Sequence, residues 1–190
     1  MLTSLAQMRS QLQGLVGADV SDDEANSLLN EGYLKLVCES EWSRGTFSFE
    51  PGSEVALPDS VYKPLKVWVD GDLYAPTDKE TVRRIESNEL WLRSNGVWFI
   101  DYDENGNESI VIYPGPATDE IEVLAVVRPV PLVEDNDEPV ACPPEFRRGI
   151  VEYAAAISLS GLEDDAEAHA LHMSEFERYR EGLRAFRNSR

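Results

Sequence analysis

The sequence predicts an α+β protein in which helices from both ends of the chain form a bundle and an antiparallel β lobe is inserted between them. Two apolar stripes with helical spacing precede residue 43, and two more follow residue 139. The segment between them is rich in β-branched and aromatic residues and is interrupted by Pro and Gly, as strands and turns are. Each helix pair alone has too little apolar surface to fold well. The predicted division is therefore a helical bundle of residues 1–42 plus 140–190 and a β domain of residues 43–139.

The N-terminal segment predicts two helices. Spacings of three and four residues place one apolar stripe on the first helix, which consists of Leu5, Met8, Leu12 and Leu15. Ser21 lies three residues before Glu24, a spacing typical of a capping box, so a second helix should begin there. We expect this second helix to end near Trp42, and its apolar stripe consists of Ala25, Leu28, Leu29, Gly32, Leu36 and Val37.

The middle segment predicts a meander of strands. Leu65–Val69 runs into the tight-turn pair Asp70-Gly71, and "VWFIDYDENGNESIVIY" reads as a hairpin with its loop at Asn105-Gly106. Only seven residues separate Tyr113 from Ile121, which is too short for a parallel crossover, so these two strands are predicted to be antiparallel neighbours. Their apolar residues on both faces favour a small sandwich, a partly closed barrel or a sheet covered by helices.

The C-terminal segment predicts two further helices. The third helix should begin near Pro143 or Pro144 and end at Gly161, and the fourth should begin near Asp164. The third stripe is Phe146, Ile150, Ala154 and Ile157, and the fourth is His169, Met173, Phe176, Tyr179, Leu183 and Phe186.

The charge, hydropathy and cysteine content of the chain argue against several classes of protein. The 190 residues carry a formal net charge of −19, which argues against a phosphate-binding surface because duplex affinity comes largely from Lys and Arg. No apolar run approaches the length of a membrane span, and the N-terminus has no signal-peptide pattern. Two cysteines, Cys38 and Cys142, form no disulfide framework or CxxC zinc motif, so we expect buried thiols in a reducing compartment.

Two groups of polar residues resemble metal sites, and neither pattern is complete. Asp101, Asp103 and Asn105 match the start of a calcium loop, but Ile112 stands where the bidentate Glu belongs, so a polar hairpin loop is favoured over a cation site. His169 and His172 share a helix face near carboxylates, but a di-metal site needs matching acids on other helices. We therefore predict no metal ion and no cofactor.

No arrangement of residues in the sequence indicates catalysis. Both histidines lie near the C-terminus, and the chain has no G-x-S-x-G, P-loop or G-x-G-x-x-G motif, so no catalytic residue is predicted. The tryptophans would suit a carbohydrate platform, but Trp68 and Trp98 fall within strand runs and are more consistent with core. A non-enzymatic scaffold or a ligand- or carbohydrate-binding module with a β-sandwich lobe remains the alternative interpretation.

The C-terminus is basic on an otherwise acidic chain. From residue 178 to 190 there are five arginines and a single acid, Glu181. A frayed helix end with cations suited to the helix dipole and a docking surface are both consistent with this pattern. Most of these arginines lie beyond the apolar stripe, so the sequence suggests that they are unnecessary for the core. The docking hypothesis assigns portal binding to Arg178, Arg180, Arg184, Phe186, Arg187 and Arg190.

Four segments, in order, carry a resemblance to a known family. They are "LLNEGYLKLVCESEW", "LPDSVYKPLKVWVDG", "SIVIYPGPATDEIEVLAVVRPVPL" and "PPEFRRGIVEYAAAISL". This pattern is similar to the head-to-tail adaptor (connector) proteins of tailed bacteriophages, which include the tail tubular protein A and gatekeeper groups.

The resemblance implies a structural virion protein with no catalytic residues. Copies are expected to form a ring of about twelve below the portal, with the C-terminal segment reaching into the portal. A tail, stopper or nozzle protein would bind on the other side, and DNA would pass during genome packaging and ejection without specific binding. The protein is then expected at the head–tail interface of the virion, and in the host cytoplasm during assembly.

Overall fold

A computed structural model describes residues 2–17, 20–87, 90, 95–115, 117, 120–160 and 165–189. The chain folds into two compact units, Met1–Ser43 with Arg128–Arg190 and Arg44–Val127. It is an α+β protein with a β lobe, as predicted. In the described part, the helices are α1 Leu5–Val16, α2 Asp22–Glu39, α3 Lys79–Glu86, α4 Arg148–Ser158 and α5 Ala166–Asn188. The strands are β1 Arg44–Phe49, β2 Glu54–Ala56, β3 Val61–Val69, β4 Asp72–Pro76, β5 Val97–Tyr102, β6 Glu108–Tyr113 and β7 Ile121–Val127.

The first unit is built from α1, α2, α4 and α5. Ser4 and Ser21 cap α1 and α2, each accepting a hydrogen bond from the backbone N–H three residues on, so the predicted start of α2 is confirmed. A 3-10 turn, Pro144–Phe146, leads into α4. The predicted end of the third helix at Gly161 and the predicted start of the fourth at Asp164 lie outside the described residues.

The helical core is formed where the four stripes meet. Fully buried side chains come from all four helices, and residues of the predicted stripes supply most of them. Leu15 belongs to the first predicted stripe but is 37% exposed. The largest of these buried side chains are Leu5, Met8, Leu12, Leu29, Tyr33, Leu36, Ile150 and Leu183. α2 and α4 approach closely, because a Cβ added at Gly32 would lie 2.7 Å from the carbonyl oxygen of Ile150.

The segment 128–139, which the sequence interpretation placed in the β domain, packs on the helices. Leu132 is 4% exposed in the helical core, and its backbone exchanges two hydrogen bonds with the Asn30 side chain, at 2.7 and 2.8 Å. The backbone N–H of Leu5 donates to the carbonyl oxygen of Asp137, and Arg9 pairs with Asp135. A segment without regular secondary structure is thus held by groups from two helices.

The second unit contains a curled seven-stranded sheet with the order β1-β7-β3-β4-β5-β6-β2. Neighbouring strands are antiparallel except β4 and β5, which are parallel. The β3–β4 turn is the predicted Asp70-Gly71 pair, and both residues have positive φ, 54° and 85°. The predicted β5–β6 hairpin is confirmed as well, with Gly106 at a φ of 83° in its loop.

The prediction that the strands ending at Tyr113 and beginning at Ile121 pair with each other is wrong. β6 pairs with β5 and β2, whereas β7 pairs with β1 and β3, so three strands separate them in the sheet. The short connection therefore returns the chain across the curled sheet rather than closing a hairpin. A curled sheet permits this because its distant strands approach each other.

One helix was not predicted. α3 follows β4, begins at the cap residue Asp78, whose carboxylate accepts from the Thr81 N–H at 2.8 Å, and buries Val82. It supplies the connection that the parallel β4–β5 pair requires. Its eight residues give too short a periodic pattern to be recognised within a segment that otherwise reads as strands.

Candidate partner-binding surface

Four arginines of the predicted docking surface, Arg178, Arg180, Arg184 and Arg187, lie on the second half of α5. α5 is fixed by Phe176 and Leu183, which are buried in the helical core. Near its end, the Phe186 ring stacks on Trp42 with centroids 5.6 Å apart and also contacts Phe146. Phe186 therefore completes an aromatic cluster within the helical unit rather than standing free on the surface.

Arg180 and Arg184 both contact Glu39, the last residue of α2. An Arg180 Nη donates to the Glu39 carboxylate at 2.6 Å, and Arg184 donates to the Glu39 carbonyl oxygen at 2.8 Å. Arg180 also pairs with Glu177 on its own helix. The two guanidinium groups therefore place positive charge at the negative end of the α2 dipole.

Arg187 binds the turn that ends α2. Its Nη1 donates to the carbonyl oxygen of Ser40 at 2.7 Å and to the carboxylate of Glu41 at 3.0 Å, with a longer bond to the Glu41 carbonyl oxygen. Glu41 has a φ of 54°, a left-handed conformation that costs a non-glycine residue about 1–2 kcal/mol. Arg187 offsets that cost by satisfying carbonyl groups that the helix leaves without intrahelical donors.

The remaining predicted residues differ from these three. Arg178 has a side chain 67% exposed, paired with Glu175 one turn earlier, and it lies over the Tyr179 ring. Arg190 lies outside the described residues. The structure therefore divides the described arginines of the predicted docking set into three bound to the end of α2 and one, Arg178, whose contacts lie on its own helix, a division that spacing along the helix does not reveal.

His169 and His172 do not share one site. His172 Nδ1 lies 2.6 Å from the Glu152 carboxylate, whose other oxygen accepts from Arg148, whereas His169 Nδ1 lies 2.7 Å from the Ala156 carbonyl oxygen. Glu152 is 5% exposed, and its two carboxylate oxygens have these two separate partners. Across the described residues, no group of three His, Cys, Asp or Glu residues is arranged to hold a metal ion.

The Asp101–Asn105 loop is held by internal hydrogen bonds. Asp103 accepts from the Asn107 side chain at 2.7 Å and from the backbone N–H groups of Asn105 and Asn107, and these bonds hold the pKa of Asp103 below its ordinary value. Asp101 accepts from Lys79 on α3, and this hydrogen bond is the main cause of its lowered pKa. The two carboxylates thus have separate partners.

Two of the tryptophans considered for carbohydrate binding, Trp42 and Trp98, are occupied by packing, whereas Trp68, which was predicted to be core, is only partly buried. Trp98 is 5% exposed in the core of the β lobe, and Trp42 is stacked on Phe186. Trp91 lies outside the described residues. These positions weigh against an exposed aromatic platform built from Trp42 and Trp98.

Both cysteines are buried thiols. Cys38 is 2% exposed and Cys142 is 0% exposed. Desolvation raises the pKa of Cys38 to about 11 and that of Cys142 to about 12. Since the thiolate is the nucleophile, neither is suited to nucleophilic catalysis.

Open cavities lie in both units of the described chain. One in the β lobe, of about 480 Å³, is bordered by α3 and by the end of β6, with Lys79, Arg83 and Glu86 in its wall. One in the helical unit, of about 500 Å³, lies between α1 and the start of α4, with Gln7 and Arg148 in its wall. Neither of these two cavities brings together a nucleophile, a base and a residue that orients the base.

Comparison with known proteins gives a match over nearly the whole chain. The family model described as SU10 adaptor protein matches residues 3–190, which include both helical segments and the β lobe. No curated protein matches the sequence. No helix among the described residues is long and apolar enough to cross a membrane.

Proposed function

The chain belongs to the SU10 adaptor protein family, a family of phage adaptors, and on this premise we propose that it is the head-to-tail adaptor of a tailed bacteriophage. Copies form a ring, about twelve-fold, between the portal and the next tail, stopper or nozzle protein. The observation that carries the proposal is the match over nearly the whole chain, because it includes the insert as well as both terminal helical segments.

The charge of the chain supports a role as a passage for DNA. At −19 per copy, a ring of about twelve would carry roughly −230 before counterions bind. An acidic channel repels phosphate, so DNA slides through during packaging and ejection without being held. The protein acts as a structural part of the virion at the head–tail interface after assembly in the host cytoplasm.

Docking to the portal is assigned to the C-terminal half of α5. Arg178 is exposed and pairs within its own helix, and arginine is well suited to bind carboxylates at interfaces. Arg180, Arg184 and Arg187 hold the helix end in place through the end of α2. An acidic groove on the portal is the complementary partner.

Reconstitution with purified portal protein tests the proposal. Negative-stain microscopy should show a second ring on one face of the portal, and the adaptor should co-sediment with the portal in a ratio close to one copy per portal subunit. A portal from an unrelated phage is the control. If the adaptor remains free at micromolar concentrations of both proteins, the portal assignment is wrong.

A further inference from the structure

The outer face of the β lobe carries a group of four side chains in which charged and apolar residues alternate. β7 and β3 are neighbours in the sheet, and each contributes two residues that are two positions apart, so all four side chains lie on one face. Strand register places Trp68 directly opposite Glu122, and Lys66 directly opposite Leu124. These four side chains form the β7–β3 patch.

Burial shows that the β7–β3 patch faces away from the core of the lobe. Its two charged residues are exposed, and its two apolar residues are partly buried. The intervening residues of the same strands, Val67 and Val123, are both 0% exposed and belong to the core on the other face. Leu73 on β4, directly opposite Trp68, is 52% exposed and enlarges the apolar part of the surface.

The two charged side chains of the patch are available to a partner. Within the part of the chain that the structure describes, neither Lys66 nor Glu122 has a side-chain hydrogen bond or an ion pair. Arg44 and Lys63, which lie further along the same face, differ because both already interact within the chain. The patch therefore presents one unpaired cation and one unpaired anion, with no net charge.

The β7–β3 patch has its two charges on one diagonal and its two apolar side chains on the other. The four residues are the corners of a quadrilateral, because they occupy two adjacent strands and two successive rows. Diagonal neighbours in such a pair of strands lie about 7–8 Å apart. Lys66 and Glu122 share one diagonal, and Trp68 and Leu124 share the other. Leu73 continues the apolar line beyond Trp68.

We infer that the β7–β3 patch binds the same patch of a second copy, around a two-fold axis that runs along the apolar diagonal. Rotation about this axis places Lys66 of each copy opposite Glu122 of the other. Trp68 and Leu124 each meet their own counterparts along the axis. Such an interface is isologous, since the same residues serve on both sides.

Charge selects a second copy as the occupant. The surface that complements the patch is the patch itself, turned about its apolar diagonal, so a second copy presents the matching charges at the matching spacing. Two chains at −19 repel each other overall, and their contact costs least where the local charges balance. A single unpaired cation is too little to hold duplex DNA. Tryptophan is also enriched at the energetic centres of protein interfaces.

This contact is additional to the proposed ring. Neighbours in a ring of cyclic symmetry meet head to tail, whereas a two-fold contact joins copies in pairs. The dimer is therefore a form of the free protein. The patch supplies few side chains, against about 20–30 residues a side in a stable interface, so the pairing is weak.

Sedimentation equilibrium of the protein alone tests the contact. Over a concentration series extending to about 0.5 mM, at about 0.15 M salt to screen the overall repulsion, the intact protein should show a monomer–dimer equilibrium. Trp68→Ala should weaken dimerisation by about tenfold, because it removes the largest apolar group on the axis. Leu171→Ala is the matched control, since Leu171 is an apolar residue 62% exposed on α5, outside the patch. It should leave dimerisation unchanged.

Charge reversal tests the two-fold arrangement without removing apolar area. Lys66→Glu places acids opposite acids and Glu122→Lys places cations opposite cations, so each variant alone should dimerise at least about threefold more weakly than the intact protein. A mixture of the two single variants should associate again, because every facing pair is then of opposite charge. The double variant, in which the two charges exchange positions, should dimerise as the intact protein does.

Three results would overturn the inference. The first is an intact protein that stays monomeric across the series. The second is a mixture of Lys66→Glu and Glu122→Lys proteins that associates no more tightly than either alone. The third is a Trp68→Ala protein that dimerises as well as the Leu171→Ala control. All these measurements are made without a portal, so their failure leaves the proposed function unaffected, and portal co-sedimentation tests that function separately.

Discussion

Two buried thiols and the Tyr33 hydroxyl should make the helical unit less stable at alkaline pH. Burial raises the pKa of Cys38 to about 11, of Cys142 to about 12 and of Tyr33 to about 12. The folded state therefore keeps these protons at pH values where the unfolded chain has lost them. The contribution of these groups to stability is complete below about pH 9 and is lost as the pH rises through the folded pKa values.

We expect the free energy of unfolding to fall by about 2 kcal/mol or more between pH 8 and pH 11. Urea unfolding at several pH values measures this dependence. The variant Cys38→Ala with Cys142→Ala should show a shallower decrease, and equal slopes in both proteins would contradict the thiol contribution.

At the residue scale, the arginines of α5 differ in role. Arg184 and Arg187 stabilise the fold, and Arg178 is assigned to docking. Replacing Arg184 and Arg187 together with Ala should lower the free energy of unfolding by about 1–3 kcal/mol, because carbonyl groups at the end of α2 lose their donors. Arg178→Ala should change it by less than about 0.5 kcal/mol, since that side chain is exposed.

Thermal melting and portal co-sedimentation of the same variants distinguish the two roles. Arg178→Ala should weaken portal binding while the melting temperature stays unchanged. If only the double variant affects binding, and in proportion to its loss of stability, α5 does not provide the docking surface.

At the scale of elements, the packing of α2 on α4 depends on Gly32. A Cβ there would lie 2.7 Å from the Ile150 carbonyl oxygen and 3.2 Å from the Tyr153 ring, so the helices would have to separate. We expect Gly32→Ala to cost about 1–3 kcal/mol. The matched control is Gly14→Ala on α1, where nothing lies within 4 Å of the added Cβ. That change should stabilise by about 0.5–1 kcal/mol, since alanine is the better helix former.

Denaturant unfolding of both glycine variants checks this prediction. Opposite signs are expected. A destabilisation of similar size at both positions would mean that the distance between α2 and α4 does not control the effect.

At the scale of the whole molecule, net charge governs association. With −19 per copy, the isolated protein should sediment as a monomer or as weakly associated species at low salt. Screening by salt or a portal template should favour rings. Analytical ultracentrifugation over a salt series measures this, and stable rings at low salt without a partner would show that local contacts outweigh the repulsion.

The same charge predicts no measurable binding of duplex DNA at about 0.15 M salt. A gel-shift titration with the intact protein is the measurement. Binding at micromolar protein or below would count against a passage for DNA and would favour a nucleic-acid role for a basic surface.

Features that depend on neighbouring residues, or on totals such as net charge, could be predicted from the amino-acid sequence alone. Helix stripes, the Ser21 cap, the Asp70-Gly71 turn and the β5–β6 hairpin depend on neighbours in sequence, so spacing and turn chemistry were sufficient to predict them. The net charge and the order of helical and strand segments likewise need no coordinates, and the resemblance of four sequence segments to a known family indicated an adaptor.

Which distant segments meet depends on the folded chain. The strands ending at Tyr113 and beginning at Ile121 lie close in sequence but have three strands between them in the sheet, because the sheet curls and nothing in a short connection specifies strand order. Arg184 and Arg187 bind backbone carbonyl oxygens at the end of α2, about 140 residues away along the chain, and Arg180 binds the Glu39 carboxylate there. Backbone acceptors are the same in every residue, so no sequence pattern reveals them, and folding alone brings donor and acceptor together.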